Sequence, residues 1–255
     1  MTADGAPASP DGVAGAADAL GPAGVRVLEL VAVMDRLRRE CPWDRRQTHS
    51  SLAPYLLEEC YEALDALERG DLAALREELG DVLLQVAFHA RLAAERTDGT
   101  GWTIDDVADG IVAKLIRRHP HVFSDVAVAG ADEVSVNWET IKAAERAEKA
   151  ASRAAAGGGS ASVLDGVALG QPALALAAQL QRRAQRAGAP SALDGGAPGV
   201  SEIGAELFAL VARARQAGVD PEFELRAAAR AYRDQVLAWE RAAAGQDREQ
   251  PGEPG

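Results

Sequence analysis

The segment Leu57-Glu58-Glu59-Cys60-Tyr61-Glu62, followed across Gly70 by Glu77-Glu78-Leu79-Gly80-Asp81, decides the fold. Glu62 and Glu78 lie eight residues to either side of Gly70, and Glu59 and Asp81 lie eleven. If Gly70 is the tip of an antiparallel helical hairpin, a rise of ~1.5 Å per residue puts both pairs about 12–17 Å from the tip, at equal heights on facing helices. Within each helix the i, i+3 spacing stacks the two acids on one side, one turn apart. At ~100° per residue, Glu59 projects among Leu52, Leu56, Ala63 and Leu67, and Glu78 among Leu75, Val82 and Val86. Glu62 and Asp81 fall at the margin of this apolar stripe. Glu58 and Glu77 fall further out.

Acid-rich helices usually carry their acids on a solvated face with i, i+4 partners. Here four carboxylates converge on an apolar seam, where they repel one another and where unpaired burial costs several kcal/mol. No run of Lys lies within these helices, and Arg69 and Arg76 sit nearer the tip. The seam therefore calls for a cation. An all-oxygen donor set favours a hard ion, Mg²⁺ or Mn²⁺, over Zn²⁺. A di-iron bundle would use Glu-x-x-His, and none of His49, His89, His119 or His121 follows a Glu at that spacing. Cys41, Cys60 and the histidines lack the close spacing of a zinc site.

Outward from the hairpin the chain reads as all-α. Helices are predicted from Val25 to about Arg39, Ser51 to Arg69, Asp71 to about Arg96, Ile104 to Arg118 and Asp132 to about Lys149. Further helices are predicted over 172–187, 201–217 and 221–243. Cys41-Pro42-Trp43-Asp44 ends the first helix, since Pro does not continue a helix interior. Gly70 serves as a C-terminal stop, and Asp71 and Thr103 as N-caps. Residues 1–24 read as a disordered leader, 25–150 as the main helical domain, 151–171 as a flexible linker, 172–243 as a second helical region and 244–255 as a disordered tail. No convincing strand is present.

The 255 residues carry 27 Lys plus Arg against 39 Asp plus Glu, a net charge of −12. That excess argues against a nucleic-acid or anionic-membrane binder, since both need a basic footprint. It leaves a phosphate substrate open, because carboxylates can hold the metal that holds the phosphate. Two cysteines are too few for a disulfide framework, so a cytoplasmic location is expected. No apolar run reaches the ~18–20 residues of a membrane span, and no secretory signal is recognised.

The order Glu-Glu-x-x-Glu, then Glu-x-x-Asp, resembles the signature of MazG-type nucleoside triphosphate pyrophosphohydrolases. Other words agree over about residues 25–150: Cys41-Pro42-Trp43-Asp44 with Gln47-Thr48, Tyr55-Leu56-Leu57-Glu58-Glu59, Glu78-Leu79-Gly80-Asp81 through Val86, and Arg117-Arg118-His119-Pro120-His121-Val122-Phe123. Trp138 and Lys142 fit as well. The resemblance implies a metal-dependent all-α enzyme, homodimeric or larger, that hydrolyses nucleoside triphosphates to monophosphate and pyrophosphate. Carried over by position, Glu59, Glu62, Glu78 and Asp81 are the Mg²⁺ ligands, with Mn²⁺ as a possible substitute. Glu58 is a further ligand, a supporting group or a base.

Lys114, Arg117 and Arg118 would stabilise the leaving pyrophosphate, or else simply complement a helix C-terminus. Trp43 either stacks a nucleobase or caps the core. Gln85 and His89 would meet the nucleotide or a partner helix. His119 and His121 read as structural turn residues.

Glu202-Ile203-Gly204-Ala205-Glu206-Leu207-Phe208 resembles 78–84, with Ala205 in place of Asp81. No Glu occurs between Glu148 and Glu202, so an upstream Glu-Glu-x-x-Glu is absent there. The second half therefore reads as a degenerate repeat with a structural, dimerising or regulatory role. A different class stays open for the whole chain: a non-catalytic helical oligomer that binds metal or nucleotide as a regulatory module.

Overall fold

The computed structural model describes residues 24–124, 126–155, 162–190 and 199–249. The leader reading over 1–23 and the last residues of the tail fall outside them. The chain forms two compact units, Met1–Ala143 and Ala144–Gly255. The described residues contain helices and turns and no strand.

The first unit begins with α1 (Val25–Glu40), a single 3-10 turn (Asp44–Arg46), α2 (His49–Arg69) and α3 (Leu72–Ala93). Then follow α4 (Ile104–Arg118), the short α5 (Pro120–Phe123) and the start of α6 (Ala131–Ala155). Gly70 has φ 70° and lies in the left-handed region that favours glycine. Its N–H donates to Leu67 O (3.1 Å), and Asp71 N–H donates to Ala66 O (3.0 Å). This is a Schellman end. The Asp71 carboxylate then accepts from Ala73 N and Ala74 N (3.1 and 3.0 Å), starting α3 at once. The turn is thus closed at both ends, and α2 and α3 run back along each other.

The predicted helices are present, with shifted ends. α2 starts at His49 rather than Ser51, because Thr48 and Ser51 form a reciprocal capping box. α3 stops at Ala93, short of Arg96, whose guanidinium instead bonds Asp98 and Thr100 in the following loop. Pro120 opens a short helix between the predicted helices that end at Arg118 and begin at Asp132, where a missing N–H is harmless at a first helical position. α6 continues to Ala155 through an Ala-rich stretch read as linker, since Ala is the best helix former.

The core of this unit is small. Met34 from α1, Leu52 from α2 and Ala87, Phe88 and Leu92 from α3 are buried together, with Leu30 and Leu84 packed against them. Ala63 and Ala66 are also buried on α2, and Ala90 and Ala93 on α3. Beyond the core, Arg91 bonds Asp35 (2.9 Å) and Glu95 (3.1 Å), tying α3 to α1. Arg38 holds the Glu95 carboxyl below its usual range, first through their hydrogen bonds.

The second unit packs α7 (Ala173–Arg186), α8 (Glu202–Gln216) and α9 (Pro221–Glu249) together. The last helix runs beyond Ala243 to Glu249. Ala178, Gln181 and Val211 are buried. Gln181 donates to Phe208 O (2.8 Å) and accepts from Arg215 (3.3 Å), so this buried amide is satisfied on both its atoms.

Candidate metal and nucleotide site

The closed turn at Gly70 sets the register that brings the acids together. Glu59, Glu78 and Asp81 each present a carboxylate oxygen, and these oxygens lie within 4.8 Å of one another. All three residues are half-buried, whereas Glu58 and Glu62 are exposed. Three of the four expected ligands therefore form one cluster. The fourth, Glu62, stands beside it. The charge on Glu62 reaches the cluster, acting on both Glu59 and Glu78.

The electrostatics follow from that crowding. Burial pushes the Glu59 carboxyl up, and the charges of Asp81, Glu62, Glu58 and Glu78 push it further. Burial likewise raises Glu78, followed by the charges of Glu62, Glu77 and Asp81. Each effect favours the protonated form, as expected of a carboxylate group gathered without its counter-ion.

A divalent ion fits this donor set. Oxygens on opposite sides of an ion at ~2.1 Å are about 4.2 Å apart, so modest side-chain rotation closes the observed cluster on a hard cation.

Lys114, Arg117 and Arg118 occupy the last turns of α4, which packs against α3. They belong to a different helix from the carboxylates. Lys114 and Arg118 are half-buried and Arg117 is exposed. Trp43 lies edge-on to Tyr55 (centroids 6.1 Å, 75°) and tilted against the core residue Phe88 (6.4 Å). It remains 45% exposed, so it covers the core on one side and offers ring surface to solvent on the other. Tyr55 lies four residues before Glu59, on the same side of α2. His119 bonds Leu115 O through Nδ1 (2.7 Å), in keeping with its structural reading. On α6, the Lys142 ammonium sits 4.7 Å from the Trp138 ring and bonds Glu139 (3.1 Å).

The pairing of His89 with His49 was not foreseen. Their rings stack at 5.0 Å with Nδ1 atoms 2.7 Å apart, so one ring donates to the other. Trp102 stacks on His49 at 6.4 Å. Gln85 Oε1 and His89 Nε2, one turn apart on α3, are buried and have no hydrogen-bond partner among the described residues. The available signal was the polar stripe Glu78, Asp81, Gln85, His89 at helical spacing, but its partner on α2 lies forty residues from His89.

Burial lowers the His89 pKa, and the nearby His49 lowers it further. A histidine depressed in the fold stabilises it fully above the unfolded value of about 6.5, and that stability is lost as pH falls below it. The melting temperature is expected to drop between pH 7.5 and 5.5, with a smaller drop for His89→Gln. An equal drop in the variant would show that other groups drive it.

A helical hairpin with carboxylates clustered on a half-buried seam defines an all-α protein with a group of acids that could hold a metal ion. A model of the MazG nucleotide pyrophosphohydrolase domain matches residues 47–123, which span the hairpin, α4 and α5. The chain belongs to the MazG family. It is 40% identical to the nucleoside triphosphate pyrophosphohydrolase/pyrophosphatase MazG of Thermotoga maritima, over 82% of this chain and 84% of that one. It is 48% identical to an uncharacterized 26.1 kDa protein of Streptomyces cacaoi, over 85% and 84%. It is also 48% identical to the nucleoside triphosphate pyrophosphohydrolase of Mycobacterium tuberculosis, over 67% of this chain but only 48% of that one. A crystal structure of a mazG-related protein from Thermotoga maritima aligns with a TM-score of 0.39 and 27% identity, covering 45% of this chain and 97% of that chain.

Proposed function

We propose that this chain hydrolyses nucleoside triphosphates to nucleoside monophosphate and pyrophosphate, using Mg²⁺ held by Glu59, Glu78 and Asp81 with Glu62 beside them. Mn²⁺ is the natural substitute. The observation that carries this reading is the convergence of the three carboxylates, each with an oxygen within 4.8 Å of the others.

When bound, the divalent ion neutralises phosphate oxygens and orients the triphosphate. The chain's own residues do the rest. A carboxylate of the cluster or Glu58 accepts a proton from water as the water adds to phosphorus beside the α–β bridge. The bridging P–O bond breaks, and pyrophosphate leaves with the electron pair. Lys114, Arg117 and Arg118 meet the charge developing on the pyrophosphate. The exposed side of Trp43, with Tyr55, takes the nucleobase.

The second unit is read as non-catalytic. Asp220 caps α9 as Thr103 caps α4. Counted from those caps, Lys114, Arg117 and Arg118 correspond to Ala231, Asp234 and Gln235. The cations are thus replaced together with the carboxylates, supporting a structural or regulatory role.

Homodimerisation through the outer face of the hairpin completes the reading. Leu57, Tyr61, Leu79 and Leu83 all point away from the acid seam and are exposed. Apolar stripes of this kind mark protein interfaces. Among the described residues no helix is long and apolar enough to cross a membrane. Both cysteines are free, which fits a cytoplasmic setting.

The test is pyrophosphate release from a panel of ribo- and deoxyribonucleoside triphosphates, with Mg²⁺ and with chelator. Release that requires the ion supports the proposal. Nucleotide binding without release from any member would favour the non-catalytic regulatory module.

A further inference from the structure

Arg38 bonds a carboxylate and two backbone carbonyls of the first unit. Its Nε and Nη2 bond the two oxygens of Glu95, each at 2.8 Å. Its Nη1 donates to the backbone carbonyls of Asp44 and of Gln47, the latter at 3.1 Å. Its side chain is only 12% exposed. One planar fork thus joins α1, the end of α3 and both ends of the 3-10 turn, a geometry that lysine does not reproduce.

The strap continues to Trp43. Gln47 Nε2 donates to Trp43 O (3.1 Å), and Gln47 Oε1 accepts from Ser51 Oγ (2.7 Å). Asp44, next to Trp43, is buried. The backbone carrying the Trp43 ring is therefore fixed from α1, from α3 through Glu95, and from the capping box of α2. The ring itself meets Tyr55, whose Cα is about 6 Å along α2 from that of Glu59.

We infer that Arg38 is a positioning residue for the nucleotide's base: through the carbonyls of Asp44 and Gln47 it holds Trp43 against Tyr55, which lies one helical turn from Glu59 of the carboxylate cluster. The inference rests on the nucleotide-hydrolase reading of that cluster. A shelf fixed before the substrate arrives spares the ordering cost on binding. Loosening it weakens ground-state binding, which raises KM more than it lowers kcat.

The experiment compares the full-length chain with Arg38→Met, Arg38→Lys, Glu95→Gln, Trp43→Ala and the Arg38→Lys/Trp43→Ala pair, on the best nucleotide of the panel. The Mg²⁺ concentration giving half-maximal rate is measured for each. Arg38→Lys is expected to raise KM about 10-fold, the scale of one lost base–aromatic stack. The Mg²⁺ midpoint should stay in place, which a general collapse of the fold would not allow. In the Trp43→Ala background, Arg38→Lys should add nothing, because the two residues act as one unit. Should Arg38→Met fail to fold, Arg38→Lys and Glu95→Gln carry the same readout.

Multiplying effects of Arg38 and Trp43 would overturn the inference, as would an unmoved KM or a Mg²⁺ midpoint that shifts with KM. Those failures leave wild-type turnover intact. Absence of turnover in the wild type would instead sink the hydrolase reading, and this inference with it.

Discussion

Glu59→Gln and Asp81→Asn are each expected to lower kcat/KM for nucleotide hydrolysis by at least about 100-fold, since losing even a hydrogen-bond partner behind a metal ligand commonly costs 10–100-fold. The same variants should melt at a higher temperature than the wild type when both are held in chelator. The two signs share one cause. Glu59 and Asp81 lie in one cluster, where burial and the charges of Asp81, Glu62, Glu58 and Glu78 oppose ionisation of Glu59. Neutralising either one relieves the metal-free fold and removes a donor from the cation. Added Mg²⁺ should then stabilise the wild type and leave the variants nearly unmoved, because a ligand stabilises only by its binding to the native state. Thermal melts with and without the ion, beside steady-state rates, check both halves. Variants that lose activity and also melt lower in chelator would mark these carboxylates as structural, with counter-charges supplied by the chain.

Phe88→Ala is expected to destabilise the protein by about 3–5 kcal/mol, the usual cost of deleting a buried aromatic ring. Phe88 is 3% exposed, at the centre of a core with few large members. Domains are commonly stable by about 5–15 kcal/mol in all, so this one deletion would consume much of the reserve. The ring also backs Trp43, so the surviving folded fraction should bind nucleotide less tightly. Urea unfolding measures the first effect, and KM at low temperature, where the variant is folded, measures the second. A loss below about 1 kcal/mol would mean that neighbouring side chains collapse into the space, the condition under which such costs shrink.

What could be read from the sequence was what local rules control. The stop at Gly70, the caps at Asp71 and Thr103 and the helical period of the acids are short-range facts. They place Glu59, Glu78 and Asp81 on one seam, as found. Helix ends drifted where a cap takes an unfamiliar form, as with the Thr48–Ser51 box, or where Ala residues prolong a helix into an apparent linker. The outward position of Glu62 was not legible, since a margin position in a helical projection does not decide between seam and solvent. The Arg38–Glu95 strap was hidden for a different reason. Its partners stand fifty-seven residues apart, and single-chain periodicity carries no information about which cation meets which anion across a fold.

The doubly closed turn at Gly70 has a consequence for variation in length. It acts as a ruler between two rows of side chains, with both rows counted from the same point. One residue added on the α2 side would swing Glu59 and Glu62 about 100° around their axis while leaving Glu78 and Asp81 where they are. The tip can therefore exchange residue types more readily than it can gain or lose one. The span from Thr97 to Thr103 lies beyond both rows, so a change of length there leaves the count between the carboxylates intact.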